Sequence, residues 1–213
     1  MDRFTIRQTS AQLPVFDAES DLEPLSRLGG ESGFVSDFQF GDATVPALEL
    51  AEVLLRYGRI RAVLAERAGL TAVRLDRVEV TGCDLSSARW TGGKISQTRF
   101  DGCKFLAARF DGVTMEHVVF TGCKLDYAAL DQVRATGPVV FAGCSLREAE
   151  LTGCDLAGPA AERERRRISE DHSGSESVLL VQHVAALRAA GFAEIGTLWQ
   201  YGENRILCAV TRR

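Results

Sequence analysis

Large apolar residues return at every fifth position through the middle of this 213-residue chain: Leu75, Val80, Leu85, Trp90, Ile95, Phe100, Phe105, Phe110, Met115, Phe120, Leu125 and Leu130. Two residues before each stands a small or β-branched one: Val73, Val78, Cys83, Ala88, Gly93, Thr98, Cys103, Ala108, Val113, Val118, Cys123 and Ala128. A helix cannot bury such a pattern. At about 100° per residue, five steps turn the face by roughly 140°, so the stripe would wander round the cylinder. In an extended segment residues two apart share a side, so each unit of five turns two residues inward and three outward. Each unit is therefore a short strand and a corner.

A period of twenty lies over the first. Cys83, Cys103, Cys123 and Cys144 recur in TGCDL, DGCKF, TGCKL and AGCSL, and Ala88, Ala108, Ala128 and Ala149 form the next series. The other two columns are Val73, Gly93, Val113, Val133, Cys154 and Val78, Thr98, Val118, Val139. Four units thus close one turn, and Leu85, Phe105, Leu125 and Leu146 are expected inside it with the cysteine and alanine columns. Gly82, Gly92, Gly102, Gly112 and Gly122 fall at every second corner, where a positive φ suits a residue without Cβ, so alternate corners are expected to differ in turn type. Thr136-Gly137-Pro138 adds one residue at a corner before Val139 restores the phase. Upstream, Leu48–Leu70 is rich in good helix formers, yet Leu50, Leu55, Ile60 and Leu70 keep the five-residue phase; coil is favoured and helix stays open.

With these columns the chain resembles the pentapeptide-repeat family, whose loose consensus is A-(D/N)-L-x-x. The resemblance implies an all-β fold, a right-handed quadrilateral parallel β-helix, over residues 48–158. Arg74, Arg89, Arg99, Lys104, Arg109, Lys124 and Arg134 stand where that consensus has Asp or Asn, which alters the surface and leaves the inward columns intact. Several members of the family protect DNA gyrase from quinolones or peptide toxins with a surface that imitates acidic duplex DNA. Residues 71–158 here carry ten Lys or Arg against eleven Asp or Glu, too even a balance for a dominant negative field.

The ends read differently. Residues 1–47 show no clear period and are expected to form an N-terminal cap over the open end of the coil. Residues 159–177 are polar and charged, a linker. Residues 178–213 read as a helix followed by a β-hairpin, an α+β appendage. This tail resembles the final helix and hairpin of class I S-adenosylmethionine-dependent methyltransferases, through HVAALRAAGF and the two strand-like runs after it. The Gly-rich turn and acidic ribose-binding residue of such enzymes have no counterpart, so the resemblance implies a remnant or accessory without a donor site.

No constellation of catalytic residues stands out. His117, His172 and His183 are scattered. Six cysteines are best read as reduced, four of them in file along an apolar interior where zinc would need tetrahedral convergence; a serine at Cys103 would set a hydroxyl in that column. The Arg163, Arg165, Arg166 and Arg167 run is broken by Glu164. With a net charge of −4, no signal-peptide core and no membrane-length apolar run, the expectation is a cytoplasmic protein that binds neither nucleic acid nor membrane directly. The expected function is a non-enzymatic scaffold with no cofactor or metal, meeting a protein partner on its outer faces, with DNA gyrase the named alternative. Solvent-facing Arg89, Arg99 and Arg109 beside Asp101 and Asp111 give that surface its mixed charge.

Overall fold

The computed structural model describes residues 2–6, 9–15, 22–29, 33–155, 194–201 and 204–210, the backbone alone before residue 11 and after residue 193. Two compact units, Met1–Ala160 and Ala161–Arg213, divide the chain. Every regular element among the described residues is a strand. The first unit holds β1 (Asp2–Ile6), β2 (Thr9–Leu13), β3 (Glu23–Pro24), β4 (Phe34–Val45), β5 (Leu48–Ala51), β6 (Leu54–Ala65), β7 (Ala68–Thr71), β8 (Arg74–Thr81), β9 (Arg89–Thr91) and β10 (Lys94–Asp101). It continues with β11 (Arg109–Asp111), β12 (Thr114–Thr121), β13 (Ala129–Asp131), β14 (Arg134–Ala135), β15 (Val139–Ala142) and β16 (Glu150–Thr152). The second unit contributes β17 (Glu194–Tyr201) and β18 (Asn204–Val210), an antiparallel pair.

The first unit is a parallel β-solenoid of about six turns. Residues twenty apart pair throughout: Ile95 with Leu75 and Met115, Phe110 with Trp90 and Leu130. Two adjacent sides form one bent sheet in the order β14-β12-β10-β8-β6-β4-β3, with β15 also on β12. A third side is the sheet β16-β13-β11-β9-β7-β5, and the fourth is stitched by single bridges through Leu64, Asp84, Lys104, Lys124 and Ser145. The added residue sits where expected, since β12 meets Ala135 from Met115 but Val139 from Val118.

Three expectations change. Leu48–Leu70 is strand, in β5, β6 and β7, because its apolar residues hold the phase of the coil and packing overrides helix propensity. The coil also begins earlier than Leu48: β4 pairs with β6 from Phe34 to Val45, leaving Leu28 to line the bore at that end together with Leu50. A positive φ, finally, is not confined to the glycine corners, although a turn hydrogen bond from Ala88 to Leu85, repeated at Ala108, Ala128 and Ala149, marks glycine-free corners. At most corners the residue two after the central position is left-handed whether or not it is glycine, with φ of 57° at Arg77, 63° at Gly82, 60° at Ser87 and 64° at Gly92. Glycine alternates; the positive φ does not. The linker and tail helix expected at 159–177 and around 178–191 lie outside the described residues.

Gly58, a poor match to the small column, has a partner that explains it. Phe38 takes the same position one coil earlier and is fully buried, and a Cβ on Gly58 would lie 2.2 Å from its ring. The pair divides the volume of two ordinary residues unequally. Gly58→Ala is therefore expected to cost about 2 kcal/mol by overpacking, and pairing it with Phe38→Val should restore most of that, read by chemical denaturation.

Candidate functional site

Inside the coil the contents are structural. Cys83, Cys103 and Cys123 are buried, as are Ala88, Ala108, Ala128, Leu85, Phe105 and Leu125. Cys144, Leu146 and Ala149, in the last described coil, are half-buried because nothing described stacks beyond them. The thiols are free, and each faces the backbone of the coil before it: Cys103 Sγ lies 3.4 Å from the Val80 carbonyl and Cys123 Sγ 3.5 Å from that of Phe100. Cys103 is held protonated by its hydrogen bonds with Cys123 and Cys83 and by burial. It is the inert thiol of a packed core.

Thr98 shows what a hydroxyl does in such a column. Fully buried, it donates to the Ser96 carbonyl at 2.8 Å, the same two-residue reach that Cys103 Sγ makes to Asp101 at 3.5 Å. Cys103→Ser is thus expected to cost only about 1 kcal/mol, the loss of sulfur's apolar bulk, because its hydroxyl has an acceptor in place. Thermal unfolding of that variant checks the value.

The chemistry-bearing side chains are outside, and five ion pairs join some of them to one another. Arg56 pairs with Asp76 at 3.4 Å, Arg59 with Glu79 at 3.2 Å and Lys104 with Asp84 at 3.1 Å, each across one coil. Lys94 pairs with Glu116, and Arg99 reaches Asp101 within its own strand at 2.9 Å. At one corner Ser145 Oγ–H and the Arg147 N–H hold the Asp126 carboxyl below its ordinary range. That anchoring is present above the usual carboxylate pKa and is lost as pH falls through the lowered one.

The β5 to β16 sheet carries like-charge neighbours that no ion pair relieves among the described residues, whereas Arg74 beside Lys94 and Lys104 beside Lys124 each include a lysine paired with a carboxylate. Arg89 stands in register beside Arg109 on the next strand, and Asp111 beside Asp131. Both arginines are exposed, and no ion pair reaches any of the four among the described residues. Like charges directly opposite on neighbouring strands are destabilising. The structure therefore gathers Arg89, Arg109 and Asp111 on one side and puts Arg99 and Asp101, already paired, in the other sheet.

Sequence reasoning missed a second feature. Val119 and Val140 occupy outward positions, yet their exposures are 0% and 8% because Ala11 and Leu13 of β2 cover them. His117, at the adjacent corner, accepts the Gln12 N–H at Nδ1 over 3.2 Å, and Tyr57 donates its hydroxyl to the Val15 carbonyl at 3.1 Å. The segment expected to cap the end of the coil is, at residues 11–15, a strap along its side. The signal was legible: VVF occurs at 118–120 and 139–141, where FQF, GRI, VEV and TRF in the earlier coils keep the outward place polar.

No family model and no curated protein matches this chain. Among solved structures, it is similar to two trypsin-treated variants of QnrB1, described as a plasmid-mediated fluoroquinolone resistance protein. One is 16% identical with a TM-score of 0.34, covering 63% of this chain and 68% of that one. The other is 12% identical with a TM-score of 0.24, covering 64% of this chain and 89% of that one. At those values the likeness carries no statement about function, and the fold rests on the pairing and burial above. Nothing in it supports the methyltransferase resemblance of the tail.

Proposed function

We propose that this protein is a non-enzymatic scaffold that meets a protein partner through the side formed by β5, β7, β9, β11, β13 and β16. The observation that carries this reading is the pair of like-charge ladders, Arg89 with Arg109 and Asp111 with Asp131, standing in register with no ion pair to any of the four among the described residues. Elsewhere opposite charges pair one coil apart, and where like charges stand in register, Arg74 with Lys94 and Lys104 with Lys124, one member of each pair has a carboxylate partner, Glu116 or Asp84. A partner offering an acidic group to the arginines and a basic group to the aspartates would remove the repulsion on binding, and its charges would fix its register along the coil. A topoisomerase is the narrower form of this reading.

Two measurements test it. Arg109→Glu is expected to stabilise the isolated protein by about 0.5 kcal/mol, since it turns a repulsive neighbour of Arg89 into an attractive one. A photo-crosslinking residue at Thr91, between the ladders, should trap a discrete protein adduct in cells that Arg109→Glu abolishes. An adduct indifferent to that substitution, or none, removes this face from the account. Inhibition or protection of gyrase supercoiling by the purified protein, with and without a quinolone and at two salt concentrations, would identify the partner as a topoisomerase.

A further inference from the structure

We propose that β2 occupies, in the same chain, a docking patch for an extended peptide, so that the patch opens to a partner segment of the same chemistry when β2 leaves. This goes beyond the charged side above, because the patch lies in the other sheet. Outward positions of a coil need no apolar residue, and in the column shared by Glu79 and Arg99 the next two members are Val119 and Val140. The two valines are neighbours in register across the coil that carries the extra residue.

What covers them shows what they accept. Ala11 and Leu13, two apart on one strand, point to the same side and are buried against Val119 and Val140. The strand makes no ladder with the solenoid; its partner is β1. Among the described residues its hold is instead an apolar contact and two single hydrogen bonds from this segment, Gln12 N–H to His117 and Tyr57 O–H to Val15. Such a hold specifies a backbone direction and an apolar-x-apolar pair, which is the way sheets read extended peptides. An intramolecular occupant held in this way wins mainly by its high effective concentration.

The probe is a fluorescein-labelled peptide of residues 9–15, Thr-Ser-Ala-Gln-Leu-Pro-Val, titrated by anisotropy into the full chain. Leu13→Asp should release β2 from the valines, and the peptide should bind that variant at least tenfold more tightly than the unaltered protein. Adding Val119→Asp should abolish the gain. Ala11→Glu, a second way to eject β2, should reproduce it with the core untouched, and faster amide exchange at Val118–Phe120 in both variants should report the opening. Equal or absent binding to all forms, or unchanged exchange at those amides, would overturn the proposal. Loss of the Thr91 adduct alone would leave it standing.

Discussion

Gly93→Ala is expected to lower unfolding stability by about 3 kcal/mol or more, one of the largest effects any single methyl could have in this protein. Gly93 holds φ at +84°, and a Cβ there would lie 2.1 Å from the Val73 carbonyl oxygen and 2.9 Å from its carbon and nitrogen. The obstacle is backbone of the preceding coil, which cannot move without breaking the pairing that holds the turn. Gly102 is the control. Its φ is +60°, but a Cβ would meet nothing within 4 Å, so Gly102→Ala should cost only about 1 kcal/mol, the strain of a left-handed alanine. Ala107, with φ of 53°, already bears that strain in the native chain. Urea denaturation of the two variants side by side separates close approach from backbone conformation.

Phe120→Ala is expected to cost about 4 kcal/mol, at the upper part of the range for aromatic truncation. Phe100, Phe120 and Phe141 stack as nearly parallel rings 4.8 Å apart, the spacing of the strands that carry them, and Phe105 meets both Phe100 and Phe120 edge-on. Removing the middle ring breaks both stacked contacts and leaves a cavity between rigid neighbours. Phe120→Leu should lose less than half as much, because an aliphatic group fills most of the space. Calorimetric unfolding distinguishes the two. Toward the other end the central positions from Leu50 to Leu75 are aliphatic, and a void of about 40 Å³ remains among Leu50, Leu55, Leu70 and Leu75.

These effects show why the fold was legible and parts of the surface were not. Burial at positions such as Ile95, Met115 and Val113 follows from periods of five and twenty alone, because every turn repeats the same inward geometry. Phe38 and Gly58 hid the start of the coil, since each violates the column when read singly and only the pair fits. The corners misled for another reason. Arg77, Gln97 and His117 accept a left-handed φ without glycine, so composition at a corner does not report its conformation. The like-charge ladders required knowing which residues are neighbours across a coil, and Val119 needed the strand that covers it. Repetition discloses the interior; the outer surface depends on contacts between segments far apart in sequence.

The most direct test of the coil itself is the distance between spin labels at Thr71→Cys and Thr152→Cys, two exposed positions in the same sheet four coils apart. Electron–electron resonance should give a single narrow distribution near 19 Å between backbones, widened only by the label arms, since layers repeat at about 4.8 Å. A distribution centred well beyond that, or spread over tens of ångströms, would contradict a twenty-residue turn and the surface reading built on it.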